Sequence, residues 1–248
     1  MSPTSASSAK KPVKKPLVWA ASDGVLAVGL SIVLPVALAL LMLAVARIGI
    51  IPHSWGEFLL QDSPTAQVGQ YLVALILEAG IIGGLVWFRT AKRTDLGIQR
   101  SQWRWLAYTI ALYVLLIMVV FIANSVVKAL WPVVDLDQVQ NVYPFGRATW
   151  AVYLSFVTSV LIAPIVEETL FRGLLFGSLA NRFSAIPAAI VSSAIFAVLH
   201  GQLNVMIYTF CLGLILCWLY KRSGSILPGI LLHLLNNVIA FWAITSGR

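Results

Sequence analysis

The chain has 248 residues, 60% of them hydrophobic and 10% charged, with a mean hydropathy of +0.90. Soluble domains are about 45–50% apolar and about 25% charged, so this balance excludes an ordinary globular domain and a disordered chain, and requires a membrane protein. The formal charge of +8 comes from 17 Lys and Arg against 9 Asp and Glu. The basic residues sit in clusters between long apolar runs, which is the pattern of membrane topology and not of nucleic-acid binding.

Residues 1–16, with Lys10, Lys11, Lys14 and Lys15 among Ser, Ala and Pro, read as a disordered basic tail. Crossing a hydrocarbon core about 30 Å thick takes roughly 20 mostly apolar residues. Seven stretches qualify: Val25–Ile51, Val68–Phe88, Leu106–Ala129, Trp150–Val166 continuing as helix toward Ala180, Ala185–His200, Val205–Tyr220 and Ile226–Ile244. The fifth and sixth are short. The first is too long for the apolar region of a signal peptide and is expected to be a retained span. Cys211 and Cys217 share one apolar run and are expected to pack, not to form a disulfide. Trp55, Trp87, Trp103, Trp105, Trp131 and Trp150 flank the spans as an interfacial belt.

With seven spans and the N-terminus inside, thirteen of the 17 basic residues fall on inner segments, among them Arg89, Lys92, Arg93, Arg100, Arg104, Arg182, Lys221 and Arg222. The outer segments hold only Arg47, Lys128, Arg147 and Arg248, beside Glu57, Asp62, Asp135 and Asp137. The excess of inner positive charge predicts a cytoplasmic N-terminus and an external C-terminus. The expected fold class is all-α, a polytopic helix bundle whose solvent and partner is the lipid bilayer.

Ionisable side chains inside a membrane are costly and therefore informative. Glu78 lies in the second span; Glu167, Glu168, Arg172, His200, His233, Asn236 and Asn237 all lie in the last hundred residues. Helix after Pro164 puts Glu168 and Arg172 at i, i+4 with the acid first, the better order for a pair. Glu167 then points about 100° away. His233 and Asn237 are also i, i+4.

Heights along the helices test whether these groups meet. Glu167 lies sixteen residues before, and His200 sixteen after, the turn at Phe183-Ser184. At 1.5 Å per residue both stand roughly 24 Å from it. His233 and Asn237 stand roughly 14 and 20 Å from the inner turn at Ser223-Gly224. If Phe171–Ala180 is amphipathic and lies partly outside the hydrocarbon, the cluster sits in the inner leaflet and opens to the cytosol.

A carboxylate, two imidazoles and a carboxamide in a low-dielectric pocket suit water-mediated hydrolysis of an acyl bond. Glu167 would take a proton from water that His200 orients, and His233 and Asn237 would donate to the developing oxyanion. Ser192 and Ser193 lack the Gly-x-Ser-x-Gly turn of a serine nucleophile. No His-Glu-x-x-His helix is present, although Glu167, His200 and His233 would supply three zinc ligands with an open position. The alternative is a non-catalytic polytopic protein, a transporter or an immunity scaffold. A transporter would show related halves, which the sequence lacks.

Glu167-Glu168-Thr-Leu-Phe-Arg172, Phe196-Ala-Val-Leu-His200 and His233-Leu-Leu-Asn-Asn237 resemble the EExxxR, FxxxH and HxxxN motifs of the CPBP family of type II CAAX prenyl endopeptidases and bacteriocin-related proteins. The resemblance covers roughly residues 145–245. It implies a four-helix catalytic core, here 145–248, behind three accessory helices in 17–144. It also implies an intramembrane endopeptidase acting on a membrane-anchored, CAAX-like substrate. In this reading Glu167 and His200 activate water, His233 and Asn237 hold the oxyanion, and Glu168 with Arg172 braces the site. Members are commonly labelled metalloproteases, but no metal cofactor is expected here, with zinc as the alternative. A bacterial plasma membrane is the expected location.

Overall fold

The computed structural model describes residues 18–58, 64–136 and 149–246. The expected basic tail, the outer charges Asp62, Asp137, Arg147 and Arg248, and all of 137–148 lie outside the described residues. Among the described residues there are helices and no strands. They are α1 (Ala21–Arg47), the short α2 (His53–Phe58), α3 (Pro64–Phe88), α4 (Trp103–Leu130), α5 (Thr149–Arg182), α6 (Ala185–Val198), α7 (Leu203–Ser223) and α8 (Leu227–Thr245). All but α2 and α6 are long and apolar enough to cross a bilayer. The chain is therefore an integral membrane helix bundle, and its seven apolar helices coincide with the seven predicted stretches.

α5 is one long helix of alternating gauge. α-Helical Thr149–Ser155 passes into a wider π-helical stretch, Phe156–Ile162, then α-helical Ala163–Glu168, a second π stretch, Thr169–Phe176, and a closing α turn, Gly177–Arg182. π segments concentrate at functional positions because they re-aim side chains within an unbroken helix. Here they bracket Glu167 and Glu168.

One tightly packed core lies at the end of the bundle that carries the basic loops. Every residue from Leu170 to Phe176 is buried, along with Trp19, Ala27 and Val28 of the first helix region, Leu96, and Phe196 and Cys217 of the core. The stretch Phe171–Ala180 is thus packed within the bundle. α1, the turn at Arg93–Leu96, α6 and α7 enclose it. α1 comes closest at Gly24, where a Cβ would stand 2.3 Å from Ser178 Oγ and 2.6 Å from Leu175 Cα. Only glycine admits that approach. Asp23 adds an electrostatic tie, capping α1 through Ala20 N and accepting from Arg89 at 2.6 Å, at the foot of α3.

A seam of hydrogen bonds joins the α3–α4 connection to the α7–α8 turn. Ile226 N donates to Gly97 O at 3.0 Å, Gln99 Nε2 to Gly224 O at 2.5 Å, and Ser225 Oγ to Gln99 O at 2.7 Å. Gly224 closes α7 in the left-handed region, φ +69°, where a side chain would be strained. Trp55, Trp87, Trp103, Trp131 and Trp150 are exposed, as an interfacial belt requires.

Candidate active site

Two cavities share His200, His233 and Ala240 in their walls. One, of about 160 Å³, is lined by Glu167, His200, His233 and Asn237 together with Tyr71 and Ser159. The other, of about 330 Å³, lies between α4, α7 and α8 and is lined by Tyr113, Asn124, Leu136, Asn204, Tyr208 and Asn236 among apolar side chains. The four residues chosen from the sequence for water and oxyanion chemistry therefore face one space. Glu78, half-buried on α3, does not line it.

His233 is the hub. It is 4% exposed, with Nδ1 3.2 Å from Glu168 Oε1 and Nε2 3.8 Å from Glu167 Oε2. Its ring stands edge-on to Phe196, centroids 5.9 Å apart. Glu168 also pairs with Arg172 Nη1 at 3.0 Å, both side chains being essentially inaccessible. The interfacial, solvent-exposed version of this pair, worth a few tenths of a kcal/mol, is not what the fold contains. Inside a bundle, removing one partner of such a pair costs about 3–5 kcal/mol, because an uncompensated buried charge is left. Gly229 makes room for the carboxylate, since a Cβ there would stand 3.0 Å from Glu168 Oε2.

His200 does not end α6; the helix stops at Val198 and His200 lies in the turn that follows. There its Nδ1 meets Phe196 O at 2.7 Å. A carbonyl can only accept, so Nδ1 carries the proton, and in the neutral ring the Nε2 lone pair is left available.

Asn237 is held by a device built into α5. Ala163 N donates to Thr158 O, five residues back. The next residue in that ladder, Pro164, has no N–H, so the Ser159 carbonyl lacks the donor the ladder would have given it. Asn237 Nδ2 supplies one at 2.9 Å. Asn237 Oδ1 accepts from Asn236 Nδ2 at 3.0 Å, and Asn236 Oδ1 accepts from Tyr208 hydroxyl. Both carboxamides are thereby oriented, and the second N–H of Asn237 is left for a ligand.

Phe196, Pro164, Ser159 and Tyr208 were not assigned roles from sequence. Phe196 was present in a motif but gave no chemical signal of its own, and the Pro164–Ser159–Asn237 relation appears only once α5 is known to be π-helical. Ser192 and Ser193 are buried, the former donating to Phe171 O and the latter facing Cys217 Sγ. Neither reaches the cavities. Cys211 and Cys217 are free thiols. Among the described residues no group of three or more His, Cys, Asp and Glu side chains is arranged to hold a metal ion.

Residues 149–239 match the family described as type II CAAX prenyl endopeptidase Rce1-like. The chain is 33% identical over 87 residues to the Bacillus subtilis protein named "Putative membrane peptidase YdiL", covering 35% of this chain and 36% of that one. It is 32% identical over 92 residues to the membrane-embedded CAAX protease MroQ of Staphylococcus aureus, again 35% and 36% of the two chains. It is also 34% identical over 88 residues to an uncharacterized 24.3 kDa protein of Escherichia coli, covering 34% and 41%. The matched region spans little more than a third of the length of these relatives. No solved structure gives a significant match. Residues 149–239 thus resemble the Rce1-like CAAX protease family, and the resemblance falls on the motif-bearing helices α5 to α8.

Proposed function

We propose that the chain is an intramembrane endopeptidase that hydrolyses a peptide bond of a membrane-anchored substrate with water activated by Glu167 and His200. The observation that carries this reading is the convergence of Glu167, His200, His233 and Asn237 on one cavity of about 160 Å³. The similarity of residues 149–239 to the Rce1-like family and the names of the relatives point the same way.

In the proposed cycle a water donates one hydrogen to the Glu167 carboxylate and the other to His200 Nε2. Its oxygen attacks the scissile carbonyl carbon while Glu167 takes the proton. The carbonyl oxygen becomes an oxyanion that accepts from the free N–H of Asn237 and from His233 Nε2. Donation from both nitrogens of His233 requires the imidazolium form, for which Glu168 and Glu167 are the counterions. As the C–N bond breaks, Glu167 returns its proton to the leaving nitrogen and the substrate carboxyl group is released. No step passes through a metal. The substrate's anchor is an apolar chain or helix that the surrounding bilayer accommodates, a prenylated CAAX-like terminus being the family's version.

The test compares membrane proteomes of cells carrying the wild-type chain and Glu167→Gln. Membrane-anchored fragments that disappear in the variant, and that the purified wild-type protein regenerates from their precursors, are expected. A purified, folded protein that cleaves none of those precursors would remove the enzymatic reading in favour of a scaffold.

A further inference from the structure

A third cavity, of about 310 Å³, lies where the start of α1, the end of α3 and the end of α5 meet. The entry to α1 supplies Trp19 and Ala20 to its wall, α3 supplies Arg89, and the last turn of α5 supplies Asn181 and Arg182. The wall is fixed by its own contacts. Trp19 is buried; its indole N–H donates to Asp95 O at 2.8 Å, and its carbonyl accepts from Asn181 Nδ2 at 3.3 Å. That one residue therefore ties the entry to α1 both to α5 and to the turn at Arg93–Leu96. Arg89 is held by the buried Asp23 at 2.6 Å, a contact that uses one of the five N–H groups of a guanidinium. Arg182 is exposed, its guanidinium 5.6 Å from the centroid of the Phe183 ring.

α1, α3 and α5 are each long and apolar enough to span a bilayer. Their ends, and the cavity between them, therefore stand where hydrocarbon gives way to headgroups. Apolar side chains continue from it into the span: Val25 and Leu26, one turn along α1, and Trp87 and Phe88, beside Arg89, are all exposed. Three groups set the local charge. Asp23 neutralises Arg89, and Arg182 leaves one net positive charge, to which the start of the 27-residue α1 adds the positive end of its dipole. The surroundings have the same sign. Among the described residues this end also carries Lys92, Arg93, Arg100, Arg104, Lys221 and Arg222, against Asp95, whose carboxylate accepts from Lys92 N.

We propose that this cavity holds the headgroup of an anionic phospholipid, its phosphodiester facing Arg89 and Arg182 and its acyl chains leaving along the exposed apolar residues of α1 and α3. A phosphodiester carries one negative charge, equal and opposite to the net charge of the site, and offers two unesterified oxygens to two guanidiniums. Basic pockets between spanning helices are general sites for such headgroups. A zwitterionic headgroup would bring a further cation beside Arg182 and lose the charge match. A free phosphate would meet the same guanidiniums but leave the apolar wall of Val18, Trp19 and Ala21 without an occupant. The lipid would bridge the leading helices α1 and α3 to α5 beside the close approach of Gly24 to Ser178, so it acts as a clamp between the two parts of the chain. This reading does not depend on the endopeptidase chemistry.

The full chain, purified and delipidated in an uncharged detergent, is titrated with phosphatidylglycerol, phosphatidylcholine or inorganic phosphate. Thermal unfolding reports stabilisation, and native mass spectrometry counts the lipid retained. A saturable rise in Tm with a single tightly held phosphatidylglycerol is expected, with neither phosphatidylcholine nor inorganic phosphate reproducing it. Arg89→Gln would also free the buried Asp23 and lower stability by itself, so Arg182→Gln, at an exposed helix end, carries the test. It should weaken the phosphatidylglycerol effect about fivefold or more, whereas Arg222→Gln, at the same end but outside the cavity wall, should leave it unchanged. An equal rise with phosphatidylcholine overturns the headgroup, and an equal rise with inorganic phosphate overturns the lipid. Equal weakening by Arg182→Gln and Arg222→Gln, or none by Arg182→Gln, replaces the site with diffuse surface charge. No rise with any of the three overturns the proposal outright.

Discussion

The guanidinium of Arg172 lies 4.5 Å from the centroid of the Phe196 ring. The same ring is edge-on to His200 at 4.7 Å and to His233 at 5.9 Å. One aromatic plate thus carries the brace on one side and both candidate catalytic imidazoles on others, and Phe171 packs against it at 4.9 Å. Rings in this relation contribute about 0.5–1.5 kcal/mol beyond their buried area. The larger effect is on aim, because both imidazoles rest against the one ring.

Reversing the brace is expected to fail. An exposed i, i+4 pair would tolerate Glu168→Arg with Arg172→Glu, but here the new guanidinium would stand against His233 in place of the carboxylate that holds it. Each single variant should lose about 3–5 kcal/mol of stability, and the double variant should recover neither folding nor activity. Thermal unfolding in detergent and reporter cleavage measure the two. Recovery of both to near wild type would mean that His233 does not depend on Glu168.

Glu167→Gln, His200→Ala and His233→Ala should each abolish nearly all cleavage while the proteins stay folded. Asn237→Ala should lower kcat by about 10²–10³, the usual loss of one oxyanion donor. Asn236→Ala and Tyr208→Phe should be milder, since they act only by orienting Asn237. If Asn236→Ala proves the more damaging, the donor is the other carboxamide.

Pro164→Ala restores a backbone N–H opposite the Ser159 carbonyl and so competes with Asn237 for that acceptor. Activity should drop, by less than in Asn237→Ala, while stability is unchanged or raised, because a helix interior gains a donor. Combining Pro164→Ala with Asn237→Ala should add little to the loss from Asn237→Ala alone, and full additivity would dissociate the two residues.

Gly24→Ala places a methyl group 2.6 Å from the Leu175 Cα, which the backbone cannot yield without separating α1 from α5. A loss of about 1–3 kcal/mol is expected. Gly29→Ala in the same helix meets no atom within 4 Å and should be neutral in the same unfolding assay.

Activity is expected to persist through prolonged chelation and metal-free purification. Inhibition that added zinc alone reverses, with stoichiometric metal lost in both His200→Ala and His233→Ala, would convert the same residues into ligands.

The seven apolar helices were legible because hydrocarbon thickness sets a length that composition displays directly. The meeting of Glu167 with His200 was legible for a similar reason, since equal residue counts from one turn give equal heights in antiparallel helices. What periodicity could not reveal was gauge. A uniform 3.6-residue helix places Ser159 and Asn237 without a reason to bond, whereas the π stretch and Pro164 supply one. Burial of Arg172 was equally hidden, because a charged residue near a basic turn reads as interfacial until α1 and Leu96 are seen to cover it.

The seam between Gly97–Gln99 and Gly224–Ile226 bears on how the protein is made. Its first half is synthesised more than a hundred residues before its second. The helices that carry the family motifs therefore dock onto a template already in the bilayer, and the turn between α7 and α8 is tied to it by the Gly97 and Gln99 carbonyls and the Gln99 side chain. Grafting α5 to α8 behind unrelated leading helices would leave that turn untied. This region is therefore a recipient of shape from the first half of the chain as much as a module in its own right, and chimeras should be cut so that both edges of the seam come from one parent.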